Sequence, residues 1–251
     1  MNHKINLNKI MNELYATMAY FARIPHPEEL NFEEEYHGTV IDPDGNIRTP
    51  KNERDSWLDG VKEITDYLDN SKPCRLLDVG CGMGWLFSYL DDKWDKNGVE
   101  ISELAHKSAS RFGNVHCGTL DNYNKTGFDI IIMYHVIEHL EDPISTLKKI
   151  KNMINPNGTF IIGTPDFDCG AARRYGDGFR LLHDPTHISL FSCDSMHRCL
   201  RDIGFKIKKV EFPYFDTPWF NKEDVEKILK KERISPPYYG SNMTFFCGLG
   251  E

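Results

Sequence analysis

The sequence predicts an α/β fold in which a largely parallel sheet lies between two layers of helices. From about residue 56 to residue 165, short apolar segments typical of buried strands alternate with segments of helical periodicity, the pattern of parallel sheets that are covered on both faces. One short buried strand, residues 76–79, runs directly into the glycine-rich turn 80–84, and the next expected strand ends in Glu100. These observations predict a ligand-binding edge at the carboxyl ends of the strands.

The N-terminal part of the chain is predicted to be a helix followed by a loop. Residues 25–55 are rich in Pro, Gly, Asp and Asn, which favours a loop or short hairpin. We therefore expect an extension over residues 1–55 and a main domain over residues 56–251, which begins with a helix at 56–69. The helix of the extension is expected over residues 4–22, where apolar residues recur at helical spacing, namely Ile10, Leu14, Met18 and Phe21.

Strands and helices alternate along the main domain. Strands are expected at residues 75–79, 95–100, 114–118, 128–134 and 158–163. Helices between them are expected at residues 84–91, 102–111 and 143–154. Periodicity is lost over residues 166–191, after which the pattern predicts a helix at 193–203, a strand at 205–212, a helix at 221–233 and a last strand at 243–247.

The glycine-rich turn indicates a nucleoside ligand that carries a cationic group. Glycines let the backbone approach a ligand closely, and Glu100, about 20 residues beyond Gly80, can accept hydrogen bonds from two ribose hydroxyls. Asp78 precedes the first glycine. Because a carboxylate there repels phosphate, it favours an ammonium group over the pyrophosphate of a dinucleotide. A flavin- or NAD-binding fold is the alternative.

Three motifs, taken in order, resemble those of class I S-adenosylmethionine-dependent methyltransferases, and in particular a small-molecule O-methyltransferase-like branch. They are residues 76–84 with Glu100, residues 128–143 and residues 155–162. The resemblance implies a Rossmann-like seven-stranded mixed sheet with helices on both faces and an antiparallel last strand. It also implies that the chain binds S-adenosylmethionine, releases S-adenosylhomocysteine, and uses the N-terminal helix and loop of residues 1–55 as a lid.

The resemblance also assigns the residues around the cofactor, all of which follow strand ends. They are Asp78, Gly80, Cys81, Gly82, Gly84, Trp85, Glu100, Ile101, Thr119, Leu120 and Tyr134. Core packing is the alternative for Ile101 and Leu120. The alternative for Trp85 is that it packs in the core as part of its helix. The alternative for Tyr134 is that it only caps its strand. For Asp78 and Glu100, the carboxylates at strand ends, a purely structural role is a poor alternative, because burying a carboxylate is costly unless something pairs with it.

A second set of reactive side chains follows the fourth strand of the main domain. One helical turn would project His135, Glu138 and His139 to one side, and His187 lies in an irregular segment that is expected to fold over the same rim. Three interpretations stay open. Glu138 and His139 form a structural pair; or His135, His139 or His187 is a general base for the acceptor; or these four residues bind Zn, Mn, Fe or Co.

The acceptor is expected to be a small molecule that contacts residues 166–191, residues 213–242 and the N-terminal extension. Several aromatics and Arg173, Arg174 and Arg180 favour an anionic acceptor. In the alternative, the arginines pair with surface acids such as Asp177 and Asp184.

Residues 184–192 resemble a branch of the family that acts on sugar, lipid-linked or capsular glycan precursors and on quinones. This resemblance favours an oxygen of a sugar or of a phosphorylated or nucleotide-activated cell-surface precursor, as in capsular polysaccharide biosynthesis. Methylation of nitrogen or carbon in another metabolite, and cofactor binding without turnover, are the alternatives.

Composition narrows the class of protein further. The net charge of −8 and the absence of a basic cluster make a nucleic-acid partner unexpected. The sequence has no apolar run of about 20 residues for a membrane span and no apolar leader. Seven scattered cysteines without a Cys-x-x-Cys motif indicate a reduced compartment, so we expect a cytoplasmic protein. The oligomeric state does not follow from the sequence.

Overall fold

The computed structural model of the chain describes residues 6–14, 19–24, 40–41, 47–48, 50–184, 186–213, 226 and 242–250. Its helices are α1 (Leu7–Leu14), α2 (Pro50–Gly60), α3 (Lys62–Asp69), α4 (Trp85–Tyr89), α5 (Glu103–Ala109), α6 (Pro143–Met153), α7 (Gly170–Tyr175) and α8 (Cys193–Ile203). Its strands are β1 (Ala22–Arg23), β2 (Val40–Ile41), β3 (Ile47–Arg48), β4 (Arg75–Val79), β5 (Asp95–Glu100), β6 (Asn114–Cys117), β7 (Phe128–Tyr134), β8 (Ile154–Pro165), β9 (Ser189–Leu190), β10 (Phe205–Glu211) and β11 (Asn242–Leu249).

Seven strands form one mixed sheet in the order β10-β11-β8-β7-β4-β5-β6. Strand β11 runs antiparallel to both β8 and β10, whereas β4 to β8 pair in parallel. This confirms the predicted seven-stranded sheet with an antiparallel last strand. After β4 the chain first adds β5 and β6 on one side and then β7 and β8 on the other. The carboxyl ends of β4, β5 and β7 therefore meet at a switch point, where ligands bind in open α/β sheets.

The sheet has a hydrophobic core on each face, and β7 explains why. Successive side chains of a strand point to opposite faces, and consecutive apolar residues of β7 enter different cores. Ile130 and Ile132 pack with Leu76 and Phe87, whereas Ile131 and Met133 pack in the core that includes Leu147 on α6. A continuous apolar strand is therefore buried on both sides, as expected for the centre of a parallel sheet.

A third, smaller core joins the N-terminal segment to the segment after β8. Strands β1 and β9 pair antiparallel, and the buried side chains around them are Ile10, Ala22, Phe167, Cys169, Ala172, Phe179, Leu182 and Leu190. We call this unit the cap; it comprises α1, β1, β9, α7 and the described residues between α7 and β9. The cap lies on the carboxyl side of the sheet, because it continues directly from the end of β8.

Several predicted boundaries are wrong. The N-terminal helix is described only over Leu7–Leu14, and Phe21 precedes a strand, so the apolar stripe does not continue as one helix. Residues 50–55 are helical rather than loop, because Pro50 starts α2 at a position where proline's missing N–H costs nothing. β8 begins at Ile154, earlier than expected. Met18 and the predicted helix 221–233 lie outside the described residues, except for helical Glu226.

The described helices were also compared with the requirements of a membrane span. None of them is long and apolar enough to cross a bilayer.

Candidate active site

The glycine-rich turn after β4 needs its glycines for reasons internal to the chain. Gly80, Gly82 and Gly84 have φ angles of 73°, 51° and 77°, in the left-handed region that favours glycine. A Cβ on Gly80 would overlap the Val136 side chain, and one on Gly84 would lie 2.6 Å from Cα of Ala109. The turn is thus fixed against the loop after β7 and against α5.

Glu100, at the end of β5, is bonded to the same turn. Its Oε2 accepts a hydrogen bond from the Gly82 N–H (2.8 Å), and its Oε1 accepts one from the Ser102 N–H (2.9 Å). The side chain is buried. Because a carboxylate has about four acceptor positions, Glu100 can hold the turn and still accept hydrogen bonds from ribose hydroxyls.

Asp78 is a buried carboxylate whose charge the chain leaves uncompensated. Burial, and then the nearby charge of Glu100, raise the pKa of Asp78 to about 7. In the described part of the chain, no donor is hydrogen-bonded to its carboxylate. Burying an acid without a partner is unfavourable, so this position fits the ammonium group of the amino-acid part of S-adenosylmethionine.

The remaining residues of the predicted cofactor set differ in exposure. Ile101 is 46% exposed at the end of β5, so it is not a core residue. Thr119 is exposed beyond β6. Leu120 is buried in a hydrophobic core, which is the alternative that the sequence left open for it. Cys81 is buried, and Trp85 is half-buried at the start of α4.

Three aromatic side chains form a wall beside the turn, and sequence reasoning missed one of them as a site residue. The ring centroid of Trp57 on α2 lies 5.9 Å from that of Trp85 and 6.3 Å from that of Tyr134. We call Trp57, Trp85 and Tyr134 the aromatic wall. Gly163 on β8 makes room for it, because a Cβ there would overlap the Tyr134 ring.

His135 and Glu138 form a hydrogen-bonded pair next to the wall. His135 Nδ1 lies 2.9 Å from Glu138 Oε1, and Thr164 donates its hydroxyl to Oε2 at 2.9 Å. Because a carboxylate only accepts, Nδ1 of His135 donates and Nε2 is left as the acceptor of the neutral ring. Glu138 is completely buried, whereas the His135 side chain is 32% exposed.

The charge of Glu138 is stabilised by its surroundings. Burial alone would raise its pKa, but the hydrogen bond from His135 and the nearby imidazoles of His135, His139 and His187 lower the pKa to about 2. Glu138 therefore stays ionised at neutral pH.

The backbone of His135 has a φ of 54°, uncommon for a residue with a side chain and worth about 1–3 kcal/mol of strain. The N–H of His135 donates to Gly163 O at 2.9 Å.

The other two histidines of the predicted set come together as expected. The ring centroids of His139 and His187 are 4.9 Å apart. Nδ1 of His139 donates to Thr186 O (3.0 Å), and Nδ1 of His187 donates to Leu181 O (2.7 Å). Burial lowers the pKa of His139. The bond from His139 ties the turn after β7 to the cap, and the bond from His187 lies within the cap.

Three members of the predicted four-residue metal set come together. Metal-ligand atoms of Glu138, His139 and His187 lie within 4.8 Å of one another, and His135 is not part of this group. A 3₁₀ turn covers Ile137–His139, so these residues do not follow one α-helical turn, and Nδ1 of His135 is spent on Glu138. Ligands of one tetrahedral zinc stand about 3.4 Å apart, so the three remaining residues fit an ion only after they move closer together.

The cap also holds the turn after β7 through the N-terminal segment. Arg23 donates to the carbonyl oxygens of Leu140 (3.3 Å) and Glu141 (2.5 Å). Ser189 donates its hydroxyl to Leu140 O (2.6 Å), and the Ile188 N–H donates to Glu138 O (2.8 Å). No local pattern in the sequence indicates this role for Arg23, because its partners lie more than a hundred residues away.

One of the arginines predicted to meet an anionic acceptor is already engaged. Arg173 donates to both carboxylate oxygens of Asp168 at 2.5 Å. Pairing with an acid was the predicted alternative, although Asp177 and Asp184 were the acids named, and Asp184 instead accepts hydrogen bonds from Thr186. The side chains of Arg174 and Arg180 lie outside the described residues.

The sheet order, the glycine-rich turn and the acid after β5 together define a class I S-adenosylmethionine-dependent methyltransferase fold. A family model described as a methyltransferase domain matches residues 51–210, and the chain belongs to this family. A methyltransferase of Thermotoga maritima, described as a possible histamine N-methyltransferase, has a similar fold. Its TM-score is 0.58 at 23% identity, and the match covers 78% of this chain and 94% of that one.

Two curated relatives have different acceptors in their names. Phosphoethanolamine N-methyltransferase 3 of Arabidopsis thaliana is 26% identical over 59% of this chain and 32% of its own length. A ubiquinone biosynthesis O-methyltransferase of Actinobacillus pleuropneumoniae is 26% identical over 54% of this chain and 63% of its own length. The matches thus span about one third and just under two thirds of these relatives.

Proposed function

We propose that this chain transfers a methyl group from S-adenosylmethionine to a small molecule, with His135 as the general base. The observation that supports this proposal most directly is the 2.9 Å hydrogen bond between His135 Nδ1 and Glu138. This pair lies beside the aromatic wall and the glycine-rich turn. S-adenosylmethionine, when bound, supplies an electrophilic methyl group on a sulfonium. Asp78 and Glu100 would hold its ammonium and ribose groups.

His135 has the features that a general base needs. Nε2 is the accepting nitrogen of a ring that is partly exposed, and Glu138 stabilises the imidazolium that forms when Nε2 takes a proton from the acceptor. Thr164 keeps Glu138 in place from the opposite oxygen. His139 and His187, proposed from the sequence as further candidates for the base, have their Nδ1 atoms on backbone carbonyls and better suit the task of fixing the cap.

The first experiment is a mass-spectrometric assay with methyl-labelled S-adenosylmethionine and a panel of amines, phenols, sugars and phosphorylated metabolites. Wild-type protein should shift one compound class by a single labelled methyl group. His135→Asn should lower its rate about 10²- to 10⁴-fold and leave S-adenosylhomocysteine affinity unchanged. His106→Asn is the control, because that ring bonds to Val115 O on the other side of the sheet switch point. An unaltered rate in His135→Asn would rule out the base.

The atom that accepts the methyl group is proposed to be a nitrogen or an oxygen. One of the two relatives is named as an N-methyltransferase and the other as an O-methyltransferase. Neither name supports a glycan precursor, so we do not propose an acceptor from capsular polysaccharide biosynthesis. An anionic acceptor loses Arg173 as support, because that side chain is bonded to Asp168.

A divalent metal at Glu138, His139 and His187 is the second candidate for this site. The favouring observation is that both histidines have Nδ1 bonded to a carbonyl, an orientation typical of metal-binding histidines. The observation against a metal is that both carboxylate oxygens of Glu138 already accept hydrogen bonds, from His135 and Thr164. Elemental analysis of isolated protein would decide: about one equivalent of metal, reduced in His187→Ala, supports the metal, and less than a tenth of an equivalent excludes it.

A further inference from the structure

We propose that Glu63 and the aromatic wall form a subsite for a positively charged group of the methyl acceptor, so that the acceptor class is a cationic amine. This inference rests on the proposed methyl transfer and specifies its substrate. It depends on three features of the site: where Glu63 lies, what the wall presents to a ligand, and which charges surround it.

Glu63 lies at the same end of the sheet as the wall. It is in the first turn of α3, and its Oε1 accepts the Thr244 hydroxyl at 2.7 Å. Thr244 on β11 pairs with Gly163 on β8, which in turn pairs with Tyr134 on β7. Neighbouring strands are about 4.8 Å apart, so the Glu63 carboxylate and the Tyr134 ring occupy one row across three strands.

The residues of the aromatic wall are partly exposed. Trp57, Trp85 and Tyr134 each keep part of their surface accessible to solvent. Aromatic faces attract cations within about 6 Å of the ring centroid, most strongly when the cation is shielded from water. Tyr134 is followed by His135, whose ring centroid is 4.5 Å away, so a group held against the wall lies next to the candidate base.

The surrounding charge is negative. Glu63 is partly buried, and burial raises the pKa of its carboxyl more than the hydrogen bond from Thr244 lowers it; Glu211 adds a like charge nearby. Lys62 and Lys209, which line one cavity together with Glu63, are paired with acids, Lys62 with Asp66 and Lys209 with Glu211. An ammonium group would therefore complete the subsite, whereas an anion would be repelled.

The test compares two ligands of the same shape and different charge. Choline and 3,3-dimethyl-1-butanol are titrated by tryptophan fluorescence into protein that is saturated with S-adenosylhomocysteine, so that the donor site is filled with an uncharged sulfur. Choline should bind about three- to tenfold more tightly than the alcohol. Glu63→Gln keeps an acceptor for Thr244 and should remove that difference, while Trp57→Leu should weaken both ligands.

Controls separate this proposal from the methyl-transfer proposal. Glu103→Gln removes an exposed glutamate of α5 that pairs with Lys107, and it should leave the preference for choline intact. Equal affinities for the two ligands, no binding of either, or displacement of S-adenosylhomocysteine by choline would overturn the subsite. Failure of the protein to bind S-adenosylhomocysteine at all would instead overturn the proposed function. Thermal melting of each variant shows whether it is folded.

Discussion

The donor side and the acceptor side of the candidate site both contain buried carboxylates, but the chain compensates them differently. Asp78 is buried, and among the described residues the like charge of Glu100 lies near it, so that its pKa rises to about 7. Glu138 has a hydrogen bond from His135, one from Thr164 and two further imidazoles, and its pKa falls to about 2. We therefore expect a cationic ligand to compensate Asp78 on the donor side, whereas the protein itself compensates Glu138 on the acceptor side.

This difference has consequences for mutation and for pH. A carboxylate that the protein has already compensated can position a base before any ligand arrives, and preorganised groups give the larger catalytic effects. A carboxylate that awaits a ligand affects binding affinity instead, and its effect varies with pH. Variants on the two sides should therefore separate turnover from cofactor affinity.

The largest expected effect is on the acceptor side. Glu138→Gln removes the charge that stabilises the His135 imidazolium while it keeps the size of the side chain. We expect kcat to fall about 10²- to 10³-fold, with S-adenosylhomocysteine affinity within about twofold of wild type by calorimetry. Glu141→Gln, an exposed change in the same loop, is the control and should be neutral. A strong loss of cofactor affinity in Glu138→Gln would break the separation between the two sides.

On the donor side, Glu100→Ala should weaken S-adenosylhomocysteine binding about ten- to hundredfold, because charge-assisted hydrogen bonds to ribose are worth about 1.5–3 kcal/mol. Part of the loss comes from the turn, since Glu100 also accepts the Gly82 N–H. Calorimetry on Glu100→Gln, which keeps an acceptor at that place, should recover part of the affinity. If the alanine variant binds as tightly as wild type, Glu100 does not contact the ribose.

Asp78 should make cofactor affinity depend on pH. In the ligand-free protein its pKa is raised to about 7, so the carboxylate is largely protonated at pH 6 and largely ionised at pH 8. Because the ligand's ammonium group prefers the ionised form, affinity should increase about tenfold from pH 6 to pH 8. Calorimetry in buffers of different ionisation enthalpy should detect proton release on binding near pH 6. Asp78→Asn should abolish the pH dependence, and a wild-type affinity independent of pH would contradict the assignment.

The two sides also differ in how much of them the sequence predicts. The donor side is encoded locally: a strand, its turn and the acid at the next strand end are close in sequence, so their spacing alone predicts their meeting. The acceptor side is assembled from distant segments. Thr164 on β8 reaches Glu138, and Trp57 on α2 reaches Trp85 and Tyr134, through strand and helix packing that no local pattern records.

Local geometry on the acceptor side was also harder to predict. The spacing of His135, Glu138 and His139 suggested one helical turn, but His135 adopts a left-handed backbone conformation and a 3₁₀ turn follows it. A hydrogen bond from its N–H to Gly163 on the neighbouring strand overrides the local preference. The bounds of β7 agree with the prediction, because a continuous apolar run is unambiguous when both faces are buried, whereas β8 begins earlier than expected.

The smallest expected effect concerns the cap, which contacts the loop after β7 through Arg23. Arg23 bonds to the carbonyl oxygens of Leu140 and Glu141, so Arg23→Ala should loosen the loop that carries Glu138. We expect kcat/KM for the acceptor to fall about two- to fivefold, the cost of one or two exposed hydrogen bonds. Arg23→Lys, which can replace one of the bonds, should recover part of it, and S-adenosylhomocysteine affinity should not change. If deletion of residues 1–22 leaves acceptor kinetics intact in a folded protein, the cap is not a lid; if the deletion unfolds the chain, the N-terminal segment belongs to the core.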